Sequence, residues 1–121
     1  SDDWYSRDIV KHALRALQEN PDAALIAGNA RVRFEDSGRE QVLTLPFAQE
    51  YRAYDATDLE ALALKGRCGF YGANLMRRRE LLEMGGLEAG LKWNSDWFLY
   101  LALGLRRPFV VMPHEVVCIR A

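Results

Sequence analysis

Three short segments concentrate the reactive side chains of this sequence: Asp2-Asp3 beside Trp4, the triplet Arg77-Arg78-Arg79, and Ser95-Asp96-Trp97. An acidic pair recruits a metal ion, and an arginine run meets an anionic substrate or headgroup. Each also has a plainer reading. Terminal acids are commonly just solvated charge. Arginines beside Glu80 and Glu83 make a wet helix face through spaced ion pairs. An Asp ahead of an aromatic run caps a core helix. His12 falls on the polar flank of a helix and His114 follows Pro113 in a turn, so both read as surface or turn residues.

The elements that carry these segments are mixed. Ser6 reads as the N-cap of a helix through Ile9, Val10, Ala13, Leu14 and Leu17, stopped by Asn20-Pro21. Residues 23–27 read as a short buried strand. Ala30, Val32 and Phe34 then alternate with charged residues as a half-buried strand. The turn Asp36-Ser37-Gly38 returns the chain along 41–45 as a hairpin, and 46–55 reads as irregular. Thr57-Asp58-Leu59-Glu60 matches a capping box for a helix ending near Lys65-Gly66. Gly66, Gly69 and Gly72 are not a phosphate-binding fingerprint, and their spacing suits a bend at the edge of a cavity. A helix from Arg77 to Met84 closes on Gly85-Gly86. A second, capped by Asn94 or Ser95, runs from Asp96 to about Leu103. Residues 109–112 and 116–119 read as two strands split by Pro113-His114.

Taken in order, several pieces resemble the family 2 inverting glycosyltransferases. They are Ser1-Asp2-Asp3, Asn20-Pro21-Asp22 leading into Ala23–Gly28, Gly72-Ala73-Asn74-Leu75-Met76-Arg77-Arg78, Glu83-Met84-Gly85-Gly86-Leu87, and Asn94-Ser95-Asp96-Trp97 with Arg106 beyond. The resemblance runs from Ser1 to about Arg120. It implies an α/β chain with a partial GT-A-like nucleotide-diphospho-sugar transferase fold that lacks the N-terminal nucleotide-binding half. By the same resemblance Asp2, with Asp3 adjacent, holds Mg2+ or Mn2+, and the motif's first Asp is expected one position before Ser1. Asp96 matches the catalytic base. A carboxylate at a helix N-terminus stays ionised at neutral pH, as such a base must. Trp97 and Trp93 offer a platform for a sugar ring. Tyr71 and Gly72 line the acceptor side, and Arg77 or Arg78 sits near the diphosphate or acceptor. Asn94 and Ser95 stand where the family often carries a second acid. That departure leaves open a non-catalytic interaction module with a degenerate transferase-like fold, and beyond it an unrelated α+β domain.

Composition bounds these readings. The 121 residues, half of them hydrophobic, suit one unit over 1–121 with a real core. No apolar run is long enough for a transmembrane helix, and no leader peptide is visible. A net charge of −1 argues against a nucleic-acid binder. The charge is divided: residues 1–60 carry seven basic and twelve acidic side chains, and residues 61–121 carry nine and five. Cys68 and Cys118 sit in apolar surroundings without ligand spacing, which reads as buried free thiols and a cytoplasmic setting. The resemblance adds the inner face of a membrane as a place of work. It also gives a nucleotide-sugar donor and a glycan or lipid-linked acceptor as partners of a longer chain. Without the nucleotide-binding half, this polypeptide is expected to be inactive alone. Its exposed strand edge is expected to favour a dimer.

Overall fold

Two strands are apolar on both faces, and they occupy the centre of the sheet. β2 (Leu25–Arg33) and β6 (Phe109–Arg120) pair in parallel, with Leu25 opposite Phe109 and Ala27 opposite Val111. Near-continuous burial over 25–30 and 109–112 is what a strand covered on both sides requires. The computed structural model describes residues 4–45, 51–66, 70 and 74–121. Among them, the strands form one mixed six-stranded sheet.

Each flank of the central pair is shared by two short antiparallel strands. Beside β2 run β5 (Leu75–Met76), next to residues 25–26, and β3 (Glu40–Leu43), next to residues 30–33. Beside β6 run β4 (Arg52–Tyr54), next to residues 109–111, and β1 (Trp4–Tyr5), next to residues 117–118.

Period-two alternation then sorts side chains between two layers of helix. Ile26, Ala30, Val110 and Met112 pack under α1 (Ile9–Glu19) through Ile9, Ala13 and Ala16. Leu25, Ala27, Phe109 and Val111 pack on the opposite face with Leu59 of α2 (Ala56–Leu64) and Tyr100 of α4 (Ser95–Arg106). Leu99 and Leu103 of α4 close over Ala24 beside Met84, which follows α3 (Arg78–Glu83). Each fully buried Leu, Val or Phe contributes roughly 1.5–3 kcal/mol. The mixed α/β class is as expected from the sequence, and so are the hairpin, the Asn20 stop and the Gly85-Gly86 closure at positive φ.

Several local expectations are corrected. Ser6 does not cap α1: its backbone N–H donates to Val116 O and its carbonyl accepts from Ile9, so the helix starts at Ile9. The run at 23–27 and the alternation after it belong to one strand, which loses its second covering layer near Arg31. The capping box of α2 is Asp55 with Asp58, each side chain accepting from the other's backbone N–H at 3.0 and 3.1 Å. Two overlapping frames compete there, and a carboxylate at Asp55 is a better cap than the Thr57 hydroxyl. Within 46–55, residues 52–54 form β4 rather than irregular chain. Residues 109–120 form one strand, not two. The register jumps from Gly28–Met112 to Asn29–Glu115, so Pro113 and His114 are extruded as a bulge that needs no N–H from the proline.

Candidate functional site

The start of α4 is built by a strained turn. Two short 3-10 turns within Ala89–Asn94 precede α4, and at the kink between them Lys92 adopts φ 50°, ψ −116°. Its carbonyl is held by both the backbone N–H and the Oγ of Ser95, the latter at 2.8 Å. Contrary to the expectation from sequence, neither Asn94 nor Ser95 caps α4 through its side chain; the Ser95 hydroxyl is spent on the turn. A non-glycine residue held in a sparsely populated positive-φ region costs about 1–3 kcal/mol. Lys92→Gly is therefore expected to raise stability by up to about 1 kcal/mol, read as a higher denaturant midpoint. Strain of this kind concentrates where a chain must present side chains. Here it presents Asp96, with Trp93 94% exposed and Trp97 about half exposed beside it.

Asp96 is half-buried, and its Oδ1 accepts from the Trp97 N–H at 2.7 Å. One turn further along α4, Tyr100 is buried. Burial pushes the Tyr100 hydroxyl above its usual range, a hydrogen bond from Asn74 opposes this, and the negative charge of Asp96 and, more weakly, the nearby Tyr5 phenol add to the rise. Asp96, Tyr100, Asn74 and Tyr5 are thus electrostatic neighbours, drawn from α4, the residue before β5, and β1. The floor beneath them is aromatic and rigid. Tyr100 meets Phe70 at 6.0 Å between ring centroids, Phe70 meets Phe109 edge-on at 5.6 Å, and Phe109 stacks on Tyr54 at 5.4 Å.

The arginines go elsewhere. Arg77 donates from Nε to Ala23 O at 2.7 Å, and from Nη2 to Pro21 O at 3.0 Å and Leu17 O at 3.2 Å. It ties the α1–β2 turn to the entry of α3. Arg78 lines an open cleft with Arg107, which follows the last residue of α4. Eleven residues separate Asp96 from Arg107, or about 16 Å along a helix. The structure therefore groups Asp96, Trp93 and Trp97 at one end of α4 and sets Arg77 and Arg78 at the other. Asp2, Asp3, Tyr71 and Gly72 lie outside the described residues, as does Cys68; Cys118 is a buried free thiol.

Two groupings escaped sequence reading. The i,i+4 spacing of Asp96 and Tyr100 was a usable signal for the first. Nothing local pointed to the second, in which His12 and His114 meet edge-on at 5.5 Å. Nearby, the Tyr51 hydroxyl donates to Glu19 at 2.6 Å; that bond and one from Arg15 hold the Glu19 carboxyl below its ordinary range. Among the described residues no set of three His, Cys, Asp or Glu side chains is arranged to hold a metal ion. No described helix is long and apolar enough to cross a membrane. No protein-family model matches the chain, and no curated protein is significantly similar to it.

Proposed function

We propose that this chain forms the acceptor side, with the catalytic base, of an inverting glycosyltransferase acting on a nucleotide-diphospho-sugar. The supporting observation is the presentation of Asp96: a carboxylate at the head of α4, steadied by the Trp97 N–H, beside two outward-facing indoles. The partial GT-A-like fold belongs to the same proposal, and the parallel β2–β6 pair carrying α4 is compatible with it.

In this reading the acceptor sugar stacks on Trp93 or Trp97, which orients one hydroxyl toward Asp96. Asp96 takes the hydroxyl proton as the acceptor oxygen attacks the anomeric carbon from the face opposite the diphosphate. The bond from that carbon to the diphosphate oxygen breaks, its electron pair leaves with the nucleotide diphosphate, and the anomeric configuration inverts. Tyr100 and Asn74 hold the wall behind the base. The hard oxygens of Asp2 and Asp3 are donors of the kind that Mg2+ or Mn2+ takes, and that ion would supply charge neutralisation to the departing diphosphate. Donor and glycan or lipid-linked acceptor are then the partners, met on the cytoplasmic side.

The test is product analysis. The natural polypeptide containing these residues is supplied with a panel of nucleotide-sugars, Mn2+ and glycan acceptors, and the anomeric configuration of the product is read by NMR. Inverted product supports the reading; retained configuration, or no transfer from any donor, removes it. A protein that does no transfer but captures a macromolecular partner would be the interaction module.

A further inference from the structure

We propose that the cleft at the C-terminal end of α4 is a binding site for a small soluble phosphorylated molecule. It is separate from Asp96 and independent of the transferase reading. The open cleft has a volume of about 630 Å³, room for a sugar phosphate or a nucleotide. Arg77, Arg78, Arg79 and Arg107 line it, against the carboxylates of Asp22 and Glu80. With Glu83, the partner of Arg79, counted beside Asp22 and Glu80, one positive charge is in excess there, on a chain whose net charge is −1. That overall balance disfavours an extended polyanion such as nucleic acid and leaves a compact anion as the fitting ligand.

The four guanidinium groups are not equivalent. Arg79 is paired with Glu83 at 2.9 Å, and Arg107 reaches the buried Glu80 at 3.5 Å. Arg77 is fixed by carbonyl oxygens alone, which take its Nε and Nη2 hydrogens and neutralise none of its charge. Its two Nη1 hydrogens have no protein acceptor among the described residues. Arg78 makes no ion pair among them. A clamped cation beside an unpaired one is a preorganised pair of forks, and planar forks bind phosphate oxygens two at a time. Asp22 is the opposing element, because its carboxylate repels an incoming anion.

Inorganic pyrophosphate is the probe, titrated into the 121-residue chain at physiological ionic strength with chelator present so that no divalent cation contributes. Saturable binding is expected, with amide shifts confined to Asp22, Arg77–Glu80 and Arg107. Arg78→Gln is expected to weaken it about tenfold or more, the size of a charge-assisted hydrogen-bond loss. Asp22→Asn is expected to tighten it. Arg106→Gln, which removes an equal charge just outside the cleft, is expected to leave it unchanged. The proposal is overturned by absence of saturation at millimolar pyrophosphate, by equal weakening in Arg78→Gln and Arg106→Gln, or by shifts centred on Asp96. Adsorption to phosphatidic acid vesicles without pyrophosphate binding also overturns it, since the ligand is then a lipid surface.

Discussion

Asp96→Asn, made in the natural polypeptide that contains these residues, is expected to lower glycosyl transfer by about 100- to 10,000-fold, the range for loss of a general base. The amide matches the carboxylate in shape, and its oxygen can still accept from the Trp97 N–H, so the turn and the helix start should persist. What disappears is the lone pair that accepts the acceptor proton. A second readout does not depend on activity. The Asp96 charge is one of the causes that raise the Tyr100 hydroxyl, behind burial. In the variant Tyr100 should titrate closer to its ordinary value while remaining above it, followed by carbon NMR of the ring. If Tyr100 responds and transfer is undiminished, Asp96 is a neighbour and not the base. The interaction-module reading then takes precedence.

Gly28→Ala is expected to destabilise the fold by about 1–3 kcal/mol, the usual cost of overpacking a closed core. Gly28 faces the bulge in β6. A methyl group there would lie 2.9 Å from Val116 Cγ2, closer still to Cγ1, and 3.1 Å from the His114 carbonyl oxygen. Val116 is buried under α1 and cannot swing clear. The denaturant midpoint should fall with an unchanged slope. Val116→Ala removes both offending methyls at the expense of a cavity, so the double variant should be more stable than the sum of the two single losses. Simple additivity would show that the backbone contact with His114, rather than the side chain, excludes a Cβ.

The same bulge marks where sequence reading stopped. A proline in an apolar run argues for a break, and Pro113 gave that signal. Only the partner strand reveals that two residues are extruded and pairing resumes at Glu115. Asp96 was legible because a polar residue ahead of Trp97-Phe98-Leu99 has a local meaning; Asn74, twenty-six positions from Tyr100, does not. The arginine triplet was legible as charge. Its direction was not, since the carbonyls that hold Arg77 belong to residues 54–60 positions earlier. Asp2, Asp3, Tyr71 and Gly72 lie outside the described residues.

The central pair of strands also governs the order of events at the ribosome. β2 and β6 are each other's neighbours, yet residues 34–108 are synthesised between them. The hairpin of β2 with β3 needs only nearby chain, so it is available early, whereas α1 and α2 lean on β6 as well as on β2. The middle of the sheet comes late: until translation has passed Arg120, β2 has a bare flank and α4 has no floor. Such long-range closure is slow. Until its partner is made, one flank of the apolar stretch 23–30 stays uncovered, which is the kind of exposure that favours aggregation.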